Sequence, residues 1–292
     1  MLDFRVHTFL TVCKHLNFTR AAEELSITQP AVSQHIRYLE DYYGIKLFDY
    51  KNRKISLTEA GRFLQGVATT MLHDDIHLQG RLKELQGQKG FLAFGVTLTV
   101  GEFVMIKPLI RFFQSFPEMN IKMTVANTQE LLKKLDSGEL DFALVEGFFA
   151  KNEYDSLVYS EERYVAVCAA DDEAGRKMTR IEDTFPQRLI IREAGSGTRE
   201  IFERYLESRN FQISDYETIA EISNVSVIKS LTAAGCGITF LYEQAVRAEL
   251  EAGKLTRIPL ADFPLTHDFT FIWRRNSIFS DYYHSLFQLI QE

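Results

Sequence analysis

Two groups of side chains in this 292-residue chain carry chemistry by their type and spacing. The first is Gln29, Pro30, Ser33, Gln34 and Arg37. They fall on one side of a helical period running from Thr28 to Tyr43, while Val32, Ile36, Leu39 and Tyr43 fall on the other. A merely solvated helix carries Glu/Lys pairs. This one offers amide, hydroxyl and guanidinium groups near its start, the groups that read base edges in a DNA major groove. Taken alone, the segment also reads as an ordinary surface helix. The second group is three polar helix starts: Thr97-Leu98-Thr99-Val100-Gly101, the run REAGSGTRE (192–200), and Ser223-Asn224-Val225. Hydroxyls, glycines and free first-turn amides are what a small oxyanion needs. Thr99 and Asn224 taken singly read as helix caps. In the second run, Ser196, Gly197 and Thr198 stand between Arg192 and Arg199. A glycine-rich turn with a capped helix is the alternative there. The lysine of a nucleotide-binding loop is missing. Glu146 and Phe148-Phe149 follow a strand and would restrict the same space.

Catalysis finds little support. The sequence GSGT is not a nucleophile elbow. Of the seven histidines, His7, His15 and His35 lie in the first helices, and His267 and His284 stand alone. His73 and His77 share a helix face and read as exposed residues rather than metal ligands. Cys13, Cys168 and Cys236 are far apart with no CxxC pair, so neither a disulfide framework nor a zinc site is expected. No catalytic residue, metal or resident cofactor is assigned.

The elements that position the first group come early. Val6, Phe9, Leu10, Cys13 and Leu16 predict a helix over 3–16. A short helix from Arg20 to Leu25, capped by Thr19, precedes the turn at Ser26-Ile27. Gly44 ends the third helix. Short helix, tight turn and amphipathic helix make a helix-turn-helix. The runs Lys46–Tyr50 and Lys54–Leu57 around a Lys51-Asn52-Arg53 tip predict a hairpin wing, with Arg53 and Lys54 along phosphates. From 59 to 88, Ala60, Leu64, Val67, Met71, Leu78, Leu82 and Leu85 keep a spacing of about 3.5, broken at Asp74-Asp75. That period argues for a two-stranded coiled coil, hence a dimer with two recognition helices. The break reads either as a register device or as a loose spot. Gly87 and Gly90 mark a hinge.

Beyond Phe91, strands alternate with helices, which predicts βαβ units and a parallel sheet. The strands are expected at 91–99, 120–127, 141–147, 157–169, 188–192, 216–222, 237–242 and 267–275. One helix over 101–116 is expected to contain Pro108. The chain carries a net charge of −7. Residues 1–58 hold 8 Lys and Arg against 6 Asp and Glu, leaving 25 against 34 for the rest. A mildly basic head on an acidic body fits a small DNA-binding module attached to something else. No apolar run is long enough to span a membrane, and the N-terminus is not a secretory signal, so a cytoplasmic location is expected.

The stretch FTRAAEELSITQPAVSQHIRYLEDYYGIKLFDYKNRKISLTEAG (18–61) resembles the DNA-binding domain of LysR-type transcriptional regulators. It departs at Thr19, where the family usually has Ser, and at Asp49-Tyr50, where it has an Arg that contacts phosphate. The resemblance implies an α/β fold: a winged helix-turn-helix (1–58), a linker and dimerisation helix (59–89), and a two-lobed effector domain like a periplasmic binding protein (90–292). Lobe I would span 90–160 and 268–292, and lobe II 161–267, with crossings near 158–163 and 264–268. It also implies double-stranded promoter DNA, a homodimer or homotetramer, RNA polymerase and a small-molecule co-inducer as partners. Activation of a neighbouring promoter and repression of its own would follow. The run REAGSGTR resembles the subgroup governing sulfur assimilation or carbon fixation. That points to sulfur oxyanions, sulfur metabolites or phosphorylated metabolites, with a larger aromatic ligand left open. The competing readings are a cytosolic small-molecule-binding protein and a thiol-switched regulator using Cys168 and Cys236.

Overall fold

The structure is a computed structural model and describes residues 2–51 and 54–291. The head contains α1 (Phe4–His15), α2 (Phe18–Leu25) and α3 (Gln29–Tyr43), followed by the wing strands β1 (Phe48–Lys51) and β2 (Lys54–Leu57). Its core is Phe9, Val12, Ala21, Ala22, Val32, Ile36, Leu39, Leu47 and Phe48. α2 starts two residues earlier than expected. Asn17, not Thr19, is its cap, accepting from the amides of Thr19 and Arg20 at 2.9 and 3.0 Å. Thr28 caps α3 through Ala31 N, and Pro30 sits in the first turn, where no intrahelical amide is lost. Gly44 closes α3 at φ +68°. Gly61 is forced by packing: a Cβ there would lie 2.1 Å from the Leu47 carbonyl oxygen.

The linker helix α4 (Glu59–Leu85) starts on the Thr58 cap. Its apolar stripe begins in the head, where Leu64 packs on the core, and then leaves it. Val67, Met71, Leu78, Leu82 and Leu85 are all exposed. The opposite face is buried, and this corrects the expectation for the histidines. His73 places Nε2 3.0 Å from the Leu140 carbonyl oxygen, and His77 places Nδ1 3.2 Å from Asp141 Oδ1. Asp74 accepts from Ser277 Oγ at 2.5 Å and from Ile278 N at 3.0 Å. The polar break in the coiled-coil pattern is therefore a docking point on the body. His73 is buried and His77 half-buried in that dock, and neither is exposed.

Lobe I holds β3 (Phe91–Val96), α5 (Leu98–Phe103), α6 (Ile106–Ser115), β4 (Asn120–Val125), α7 (Thr128–Asp136) and β5 (Phe142–Val145). The single helix expected over 101–116 is two, separated at Val104-Met105. β6 (Tyr154–Ala169) then leads into lobe II: β7 (Arg188–Ile191), α8 (Gly197–Ser208), β8 (Thr218–Glu221), α9 (Val225–Ala233), β9 (Thr239–Tyr242), α10 (Glu243–Glu251) and β10 (Leu255–Arg257). β11 (Leu265–Arg274) and α11 (Ser280–Gln291) close the chain on lobe I.

The sheet is mixed rather than parallel. β3 pairs in parallel with β4 and β5, and β7 with β8. β6 and β11 run antiparallel past each other, and β9 and β10 pair antiparallel with β6. The register of β6 and β11 shifts between Phe269 and Thr270. This two-strand ribbon is shared by both lobes. It pairs with β5 through Thr270–Ile272, and with β9 through Tyr164–Val167.

Candidate DNA interface and effector cleft

On α3, Thr28, Gln29, Pro30, Gln34 and Arg37 are exposed and Ser33 is half-buried. Gln29 Nε2 donates to Ser33 Oγ at 2.8 Å, so the two side chains present one joined polar surface. The wing is tied to this helix by Glu40, which accepts from Leu47 N at 3.0 Å and from Lys46 Nζ. Lys54 stands exposed at the start of β2, and Arg53 lies outside the described residues. His35 has a structural part: its Nδ1 is 2.9 Å from Thr8 Oγ1. The start of α3 and the wing face one another across a trough lined by Gln29 and Lys54.

The second site lies where the lobes meet. Thr97 directly follows β3 and Glu146 directly follows β5. The loop after β7 delivers Arg192, Ser196 and the start of α8. Thr198 Oγ1 donates to Glu146 Oε1 at 2.9 Å and lies 3.3 Å from Thr99 Oγ1. The Tyr164 hydroxyl lies 2.8 Å from the Thr198 carbonyl and 2.9 Å from that of Phe240, with one proton to serve either. Gly197 lets the lobes approach: a Cβ there would meet Glu146 Cγ and the Gly147 backbone at 3.0–3.2 Å. Farther out, the Arg204 guanidinium stacks 3.5 Å from the Phe148 ring, and Lys229 lies 4.8 Å from the Phe103 ring. These contacts join lobe I to lobe II, so the cleft is closed.

Closure leaves polar atoms without partners. Thr97 Oγ1, Glu146 Oε2, Arg192 Nη1, Ser196 Oγ and Tyr242 OH are all buried and make no hydrogen bond. Unpaired buried groups of this kind each cost about 1–3 kcal/mol, and native structures hold few of them. Burial pushes the Glu146 carboxyl above the usual carboxylate range. Hydrogen bonds from Thr99 and Thr198 and the nearby Arg192 charge oppose that push without overcoming it. Arg192 is the buried cation of the site: its Nε and Nη2 bind Glu193 at 2.8 and 2.9 Å, and Nη1 is left over. Arg199 is committed elsewhere, to Glu203 and Glu221 and to the Arg192 carbonyl.

The structure thus gathers Thr97, Thr99, Glu146, Ser196, Gly197 and Thr198. It does not gather Gly101 or Asn224. The Gly101 amide bonds to the Thr97 carbonyl inside α5, and the residue packs against Val96 and Val125. Asn224 is exposed and spends its side chain capping α9 through Val227 N at 3.0 Å. Tyr164 and Tyr242 are additions. Both sit in strands whose sequence reads as plain core, so only the fold brings the Tyr164 hydroxyl to the start of α8 and leaves that of Tyr242 buried without a partner. Cys13 and Cys168 are buried and Cys236 is half-buried. Burial pushes Cys13 up to about 12 and Cys168 up to about 11, which disfavours the reactive thiolate. Among the described residues no cluster of three or more His, Cys, Asp or Glu is placed to hold a metal ion. No helix among them is long and apolar enough to cross a membrane.

Comparison with known proteins agrees with this geometry. The family "Bacterial regulatory helix-turn-helix protein, lysR family" matches residues 5–62, and "LysR substrate binding domain" matches residues 85–292. The HTH-type transcriptional regulator CbbR of Rhodospirillum rubrum is 30% identical over 274 residues, covering 92% of this chain and 89% of its own. The regulator CysL of Bacillus subtilis (strain 168) is 29% identical over 269 residues, covering 91% and 88%. A mutant OxyR of Corynebacterium glutamicum has the same fold, with a TM-score of 0.62 at 21% identity over 99% of this chain and 91% of its own. The relatives matched are named transcriptional regulators rather than enzymes, and this chain, with the helix-turn-helix head and the substrate-binding domain in one polypeptide, belongs to the LysR family of transcriptional regulators.

Proposed function

We propose that this regulator answers to a small anionic metabolite held between its lobes. The observation that carries the reading is the set of five buried, partnerless polar atoms around the Thr198–Glu146 hydrogen bond. An oxyanion there would accept from Ser196 Oγ, Thr97 Oγ1, Tyr242 OH and Arg192 Nη1. The free first-turn amides of α8 add a favourable dipole. Glu146 completes the set in its protonated form, donating through Oε2. The names of several relatives, RuBisCO operon regulators among them, fit a metabolite of carbon assimilation. The ligand class inferred from these donors is a sulfur oxyanion or a compact phosphate ester.

In this account residues 1–58 bind promoter DNA, 59–89 pair two copies, and 90–292 bind the effector. Gln29, Ser33, Gln34 and Arg37 read bases, while Lys54 and Arg53 meet the backbone. The exposed stripe of α4 is covered by a second copy, as dimer or tetramer. The ligand stabilises the closed lobes, and that difference shifts the DNA-bound state. Activation of a neighbouring promoter through RNA polymerase, with repression of its own, is the output the family suggests. A thermal-shift screen of the full chain against sulfite, sulfate, acetylserine-type metabolites, sugar phosphates and aromatic carboxylates tests the class. A small oxyanion that raises the melting temperature, and does so less in Ser196→Ala, supports it. A response confined to neutral or aromatic compounds overturns it.

A further inference from the structure

The head holds a trough of about 450 Å³ between the start of α3 and the wing. Asn17 and Phe18 line it from α2, Gln29 from α3, and Tyr50, Lys54 and Ile55 from the hairpin. With α3 in the major groove and the wing beyond it, one sugar-phosphate strand must pass between them. The trough is the space that strand has. Among its lining groups, Asn17 Oδ1 is used as the α2 cap and Gln29 is bonded to Ser33.

Tyr50 remains. It is 68% exposed, although its neighbour on the same pleat face, Phe48, is core. Its cross-strand partner is Ile55, and its ring stands 6.1 Å from that of Phe18, which in turn packs on Phe48. The ring is thus anchored at one edge and open at the other. Burial and the charge of Glu40 both push the phenol above its ordinary value, so it keeps its proton and remains an O–H donor.

We propose that Tyr50 is an uncharged backbone contact that donates its hydroxyl proton to a phosphodiester oxygen in this trough, beside the charged contact of Lys54. This rests on the placement of α3 in the major groove. A neutral donor differs from a lysine in one measurable way. It fixes the position of the strand but releases no counterion, so it contributes affinity without salt dependence.

The test is binding of the full chain to a labelled mixed-sequence DNA duplex across a series of KCl concentrations. Tyr50→Phe keeps the ring packing and removes only the donor. It should bind about tenfold more weakly at every salt, with the slope of log K against log[KCl] unchanged. Lys54→Ala should flatten that slope by about 0.9. Tyr50→Arg should recover affinity and steepen the slope by about the same amount, because a cation now meets the phosphate. Unchanged affinity in Tyr50→Phe, or an unaltered slope in Tyr50→Arg, overturns the contact. If Lys54→Ala and Arg37→Ala weaken binding while both Tyr50 variants behave as wild type, only the Tyr50 assignment fails. If no variant of α3 or the wing changes binding, the placement of α3 fails with it.

Discussion

Thr198 donates its hydroxyl proton to Glu146 across 2.9 Å, from the first turn of a lobe II helix to the end of a lobe I strand. Both residues are nearly inaccessible, at 1% and 2% exposure. A carboxyl so placed is raised by burial. Because the protonated form is the one that tolerates an anion beside it, anion affinity should fall as the pH rises from the ordinary carboxylate range through the raised value. Glu146→Gln imitates the protonated form. It should keep the affinity and flatten this pH dependence, as read by calorimetric titration of the anion that stabilises the protein best. A wild-type affinity indifferent to pH contradicts the assignment.

The same carboxyl affects folding. Its folded value lies above the unfolded one, so the folded state holds the extra proton. Its contribution is fully present below the unfolded value and is lost as pH rises through the folded value. Glu146→Gln should therefore melt higher than the wild type at neutral pH, with the gap closing toward acid, in differential scanning fluorimetry without ligand.

Asp74 gives a separate prediction. Its carboxylate accepts from Ser277 and Ile278 just after β11, the ribbon strand shared by both lobes. Burial alone would raise this carboxyl, but hydrogen bonds from His73, Ser277 and Ile278 outweigh it and hold it below the usual range. The linker helix is thus fastened to lobe I and can follow strain in that ribbon. Asp74→Ala should destabilise the dock by about 1–3 kcal/mol by leaving the Ile278 amide unpaired. Effector and DNA binding should each survive, while the change in DNA affinity caused by effector is lost. Equal coupling in the variant and the wild type removes Asp74 from the transmission path.

How far the sequence reveals this depends on how local each feature is. The head is legible because caps, turn and apolar period sit within a few residues of one another. Even so, Asn17 displaced Thr19, since either residue type can cap. The inner face of α4 is not legible. The partners of His73, Asp74 and His77 lie at Leu140, Asp141 and Ser277, far along the chain, so the face passes for a solvated one. Strand direction is likewise absent from an alternation of strands and helices, which is how β6, β9, β10 and β11 came to be antiparallel in a sheet expected to be parallel. In the cleft, the glycine-flanked hydroxyls are buried between the lobes, Thr198 on Glu146 and Ser196 beside it in the chain. The same signal misled at Gly101 and Asn224, whose polar groups are satisfied within their own helices.

Arg37 tests the reading helix. Arg37→Ala should cost about 1–3 kcal/mol of discrimination between operator and random DNA at fixed salt. Intact sequence-specific binding would mean that α3 is misplaced.

The exposed stripe of α4 makes a claim about assembly. Leu78→Glu or Leu82→Glu places charge where two helices are expected to meet. Light scattering after size exclusion should show the oligomer dissociating, while the melting temperature of the monomer stays near that of the wild type. An unchanged mass places the interface elsewhere.

The central claim is that an anion in the cleft alters DNA binding. It is tested most directly by the affinity of the full chain for the DNA upstream of its own gene, measured at fixed salt with and without the anion selected by thermal shift. The account predicts a change of about fivefold or more in the wild type, and none in the Ser196→Ala, Thr198→Val double variant. An equal change in that variant, or no change in the wild type, contradicts it.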